Sequence, residues 1–153
     1  ILTSKCAYDA NAQKIVIAYT NGNIGTAIVA TLSGTGASAT ASFGTPAAFN
    51  SPGSTLHSDI VYDSTAQKVV IAYQDSNNSD YGTAIVGTVA GTGISFGSAQ
   101  VYASVTSGHN RLCYDSTNNK TDLRIPMIQQ IKKQLFPMLT GMLQTTVSPL
   151  SGQ

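Results

Sequence analysis

The sequence contains no Glu and no Trp, and charged side chains make up only 10% of its 153 residues. A net charge of +1 sets up no long-range field to draw nucleic acid or anionic lipid, and no Lys/Arg cluster compensates for it. Nucleic acid and membrane are therefore not expected as partners. No apolar run approaches the roughly 20 residues of a bilayer span. The opening Ile1-Leu2-Thr3-Ser4-Lys5 has neither an initiator Met nor the layout of a signal peptide, and reads as a cut end. Only two cysteines are present, without His or carboxylates at ligand spacing, so no metal site and no cofactor are expected. What fills the chain instead is Gly, Ser, Thr, Ala and Asn between short β-branched runs, the composition of many short strands and tight turns. The fold class expected is all-β.

Self-similarity is the main signal. Cys6-Ala-Tyr-Asp-Ala-Asn-Ala-Gln-Lys-Ile-Val-Ile-Ala-Tyr19 recurs as Ile60-Val-Tyr-Asp-Ser-Thr-Ala-Gln-Lys-Val-Val-Ile-Ala-Tyr73, and its first half again as Leu112-Cys-Tyr-Asp-Ser-Thr-Asn-Asn-Lys120. The repeat tyrosines Tyr8, Tyr62 and Tyr114 are spaced by 62 − 8 = 54 and 114 − 62 = 52 residues. Gly25-Thr-Ala-Ile-Val matches Gly82-Thr-Ala-Ile-Val, and Ser42-Phe-Gly matches Ser95-Phe-Gly. The second unit parses into four strands, Ser58 to Tyr62, Lys68 to Tyr73, Gly82 to Val89 and Ile94 to Tyr102, with turn chemistry between them. Val69-Val-Ile-Ala72 is apolar without alternation, as in a strand covered on both faces. Cys6 and Cys113 precede their tyrosines by two residues and one, which turns them to opposite faces of equivalent strands and disfavours a disulfide.

Four strands per roughly 50 residues resembles β-propeller blades of the WD and kelch kind. The loop Tyr73-Gln-Asp-Ser-Asn77 is similar to the Asp-box of sialidase-type blades, with Tyr81 falling one residue later than that motif places its aromatic. The Tyr-Asp-Ser-Thr units also look like those of long secreted, adhesive or phage-encoded proteins. The resemblance implies a partial β-propeller of four-stranded antiparallel blades: 1–55 and 56–106 as two complete units, 107–120 as the start of a third, and 121–153 as a non-repeat tail. Two complete blades cannot close a ring and leave sheet faces uncovered, so self-association of this stretch is expected.

The tail has two readings. Met127 to Leu135 has the pattern of a short amphipathic helix following Pro126, with an irregular tail as its alternative. When the degenerate codons from Pro126 onward are regrouped, joining the third base of each to the first two of the next, they permit Tyr-Asp-Ser-Thr-Asn-Lys-Lys and then Ala-Val-Val-Ser-Tyr-Val-Asp. That is the next repeat in a shifted frame. The source nucleotide sequence, translated in all frames, tests this.

Six residues are candidates for ligand binding. His57 and His109 each lie five residues before a repeat tyrosine, in the loop entering a unit's first strand, where unit one has Thr3. In WD-like blades a His so placed is similar to one that hydrogen-bonds an Asp of the next hairpin, here Asp75 or Asp80, in a structural role. Asp75, Asn77, Ser79 and Asp80 form an oxygen-rich loop of the kind Ca²⁺ takes, yet without the turn Gly or closing Glu of a calcium loop. A solvated hairpin tip is its plainer reading. With Tyr81 as a stacking surface, Asp75, Asn77 and Asp80 suit a sugar. Asp9, Asp63 and Asp115 recur at turns, where backbone capping accounts for them. No Gly-x-Ser-x-Gly, acid/base pair or phosphate loop stands out. The sequence thus points to a non-enzymatic module that binds or adheres to glycan or protein surfaces, extracellular or virion-associated. The alternative is a piece of a sialidase- or lyase-like enzyme with its catalytic blades elsewhere.

Overall fold

The computed structural model describes residues 4–124. It is all-β: twelve strands and one short 3-10 turn, Gly36–Ser38, among the described residues. The first unit comprises β1 (Ser4–Asp9), β2 (Lys14–Asn21), β3 (Ile24–Ser33), β4 (Thr40–Phe43) and β5 (Ala47–Asn50). The second comprises β6 (Thr55–Asp63), β7 (Lys68–Asp75), β8 (Tyr81–Ala90), β9 (Gly93–Phe96) and β10 (Gln100–Thr106), and β11 (Arg111–Asp115) pairs with β12 (Lys120–Arg124) as a third hairpin.

All pairings are antiparallel, and the first three strands of each unit pair in sequence, β1-β2-β3 and β6-β7-β8. The fourth strand expected from sequence is in each unit two short strands sharing one edge. β4 and β5 both pair with β3, and β9 and β10 both pair with β8. The chain breaks at Gly44 and Gly97, whose amides still donate to Val29 and Val86 carbonyls at 2.9 and 3.0 Å. The third hairpin runs to Arg124, past the end of the sequence repeat at Lys120. Backbone pairing needs no particular side chains, so register outlasts the repeat. The helix expected over 127–135 and the shifted-frame reading lie outside the described residues.

Each hairpin is built the same way. The carboxylate of Asp9 accepts from the amides of Asn11 and Ala12 at 3.0 and 2.9 Å, Asp63 from Thr65 and Ala66 at 3.0 and 2.9 Å, and Asp115 from Thr117 and Asn118 at 2.9 and 3.1 Å. The turn then closes through a left-handed residue, Gln13, Gln67 or Asn119, at φ 56°, 55° and 53°. A side-chain oxygen that holds two turn amides explains why Asp recurs there.

The core lies between the sheets, and alternation decides which residues reach it. The face of unit one carrying Val16, Ala18, Ala27, Val29 and Phe49, called here its front, packs on the opposite face, the back, of unit two, which carries Ile60, Val69, Ile71, Tyr73, Ile85 and Ile94. Phe49 sits at the centre, with its ring 5.3 Å from Tyr73 and 5.9 Å from Phe96, in tilted and edge-on arrangements. Gly25 admits that ring, since a Cβ there would collide with Phe49 and Thr55, and Gly82 does the same for Tyr102 and Ser107. The first strands of successive units, β1, β6 and β11, lie side by side.

Candidate functional site

All six sequence candidates lie at one rim of the sheets, the end where β1, β6 and β11 begin and where β7 turns into β8. Three loops meet there. The amide of Ser54 donates to Asn77 Oδ1 at 3.1 Å, the Ser76 amide to the Ser54 carbonyl at 2.9 Å, and the Ser107 amide to the Asp80 carbonyl at 2.9 Å.

Within this rim the β7–β8 loop is a clasp as much as a surface. Asp75 Oδ1 accepts from Asn50 Nδ2 at 3.3 Å and from the Asn77 amide at 3.1 Å, and Asn77 Nδ2 donates to the Pro52 carbonyl at 3.3 Å. Asp75 and Asn77 therefore tie the second unit to the connection leaving the first. Asp80, in the left-handed region at φ 60°, has its carboxyl held below the usual range chiefly by the Gln74 side chain. Tyr81 begins β8 half-buried, opposite Asp75 on one side and Thr106 on the other. The loop tip, Asn77 to Ser79, is exposed.

His57 and His109 come together. Their rings lie 4.6 Å apart at a tilt of 34°. Each is in the left-handed region, φ 47° and 58°, an uncommon place for a residue with a Cβ although His enters it more readily than most. At His57 it accompanies a bulge in which the β6 register jumps between Leu56 and Asp59. Burial lowers the His57 pKa, and the neighbouring His109 lowers it further. The expected partners of His57, Asp75 and Asp80, are engaged elsewhere, and the ring it meets is the equivalent histidine of the next unit.

Beneath this pair lies a buried polar cluster that the sequence reading missed. Asn110, 1% exposed, accepts at Oδ1 from the hydroxyls of Tyr102 and Ser107 and donates from Nδ2 to the His57 carbonyl at 3.0 Å. It thereby fixes the backbone carrying His57 from the following unit, and burial raises the Tyr102 pKa. The repeat held a signal for the histidine pair, because equivalent positions of stacked units are neighbours. It held none for Asn110, whose counterpart in unit two is Ser58.

Among the described residues no group of three or more His, Cys, Asp or Glu side chains gathers where a metal ion would sit, and no helix is long and apolar enough to cross a membrane. Cys6 is an exposed free thiol opposite Ile17, and Cys113 a half-buried one opposite Asp122. No family model, no curated protein and no solved structure matches the chain.

Proposed function

We propose that this chain is a run of β-propeller blades acting as a non-enzymatic binding module, whose loop rim meets a glycan or protein surface outside the cell or on a virion. The supporting observation is the front-on-back stacking of like sheets with β1, β6 and β11 side by side, which gathers the loops of successive units at one rim. There the exposed Asn78 carboxamide and Ser79 hydroxyl, the Asp80 carboxylate and the half-buried Tyr81 ring combine polar groups with an aromatic surface, the pairing that sugars favour. Asp75 and Asn77 contribute by holding the loop in place. His57 and His109 line the same rim from the inner strands.

A glycan array probed with the full chain, followed by titration calorimetry on any hit, tests this reading. Binding that weakens about tenfold or more in Tyr81→Ala or Asp80→Ala supports it. Binding indifferent to both substitutions removes the rim from consideration, and turnover of the bound glycan replaces the binding reading with an enzymatic one.

A further inference from the structure

The two junctions between successive units share one device. At the first, the Asn11 amide in the β1–β2 turn donates to the Tyr62 hydroxyl at 3.2 Å. At the second, the equivalent Thr65 in the β6–β7 turn places its hydroxyl 2.6 Å from that of Tyr114 and donates to Asn119 Oδ1 at 2.9 Å. Each unit thus presents a turn as a plug to a tyrosine socket on the back of the next.

One socket and one plug are left over at opposite ends of the described chain. The back of unit one opens a cavity of about 450 Å³ lined by Tyr8, Gln13, Lys14, Ile15, Thr31 and Leu32. Tyr8, Ile15 and Leu32 are the counterparts of Tyr62, Val69 and Val89, which lie on the back of unit two that unit one covers. Coverage accounts for the contrast in exposure: Val69 is fully buried while Ile15 is partly exposed, and Tyr8 and Leu32 are 57% and 60% exposed. The β11–β12 turn, Asp115 to Asn119, has the same carboxylate-capped form as the other two and is exposed from Ser116 to Asn119. Among the described residues no tyrosine of a fourth unit receives it.

We infer that a second copy of this chain occupies the Tyr8 socket, inserting its β11–β12 turn head-to-tail. Thr117 of the second copy then sits between the Tyr8 hydroxyl and the Gln13 carboxamide, as Thr65 sits between Tyr114 and Asn119. The Tyr8 hydroxyl and the Gln13 carboxamide supply the polar groups of the socket, and Ile15 and Leu32 its apolar wall. The contact is heterologous, so it leaves a free socket on one chain and a free plug on the other, and further copies add until a ring closes. It rests on junction geometry and not on the ligand, so a chain that binds no glycan still tests it.

Sedimentation velocity on the full chain decides the matter, with Leu32→Glu spoiling the socket and Thr117→Arg the plug. Both positions are exposed, and circular dichroism verifies that each variant folds. The wild-type chain is expected to shift with concentration from 15.9 kDa to multiples of that mass. Each variant alone stays at the single-chain mass, its association weakened about tenfold or more. An equimolar mixture recovers a two-chain species and nothing larger, because only the Leu32→Glu plug and the Thr117→Arg socket remain intact. A wild-type chain that stays single at all concentrations overturns the inference. So does a Thr117→Arg variant that associates like wild type, which is the result of a symmetric back-to-back contact, and so does a mixture that remains single-chain.

Discussion

Ile17 and Ile71 are the same residue at the same place in the repeat, and their truncation to Ala isolates what stacking contributes. Ile71 is fully buried between the sheets, whereas Ile17, on the back of unit one, is partly exposed. Three carbons at about 0.8 kcal/mol each give ~2.4 kcal/mol of lost transfer free energy at full burial. The cavity left in a closed core raises the cost at Ile71 into the range of about 2–5 kcal/mol. At Ile17 most of the transfer loss still applies, about 2 kcal/mol, with little cavity cost because water enters the space. Urea unfolding followed by circular dichroism, at concentrations where the chain sediments singly, reads the difference. With a slope of roughly 1–3 kcal/mol per molar urea, Ile71→Ala moves the midpoint by about 1 M or more and Ile17→Ala by clearly less, the difference being the cavity cost. Equal costs, within ~0.5 kcal/mol, would refute the claim that front-on-back stacking is what distinguishes the units.

Two further outcomes follow from the rim. Asn110→Ala removes the acceptor of two buried hydroxyls and the donor to the His57 carbonyl, and is expected to destabilise by about 1–3 kcal/mol in the same assay. Tyr102→Phe, which installs the ring unit one already uses at Phe49, costs about 1 kcal/mol or less. An Asn110→Ala variant as stable as wild type would show that the cluster holds nothing together. For pH, the His57 pKa is lowered from 6.5 on folding, so above 6.5 neither the folded nor the unfolded chain holds that proton. As the pH falls below 6.5 the unfolded chain takes it up first and stability declines, until the lower folded pKa is passed. Asp80 and Asp115, both lowered from 3.8, lose their stabilising hydrogen bonds in a separate window below that value. Urea midpoints against pH should show both declines in the wild type and only the second in His57→Asn, which keeps a residue at ease with positive φ. A first decline that persists in His57→Asn refutes the assignment.

The all-β class, the capped turns and strands such as Lys68–Asp75 were legible in the residues, because period, turn chemistry and β-branching are local properties carried by each short segment on its own. The splitting of the fourth strand at Gly44 and Gly97 was not, since a break held by a single amide to the neighbouring strand looks in sequence like any Gly within a run. The contacts made by the rim residues were not legible in the sequence. Asp75 and Asn77 looked like free ligands because nothing in a loop's composition tells that Asn50 and Pro52, from the preceding unit, will meet it. Which face of each sheet is covered, and hence why Ile71 is core and Ile17 is not, was beyond the repeat for a physical reason. Identical local sequences have identical propensities, and only the presence or absence of a neighbouring sheet gives the same isoleucine two different environments.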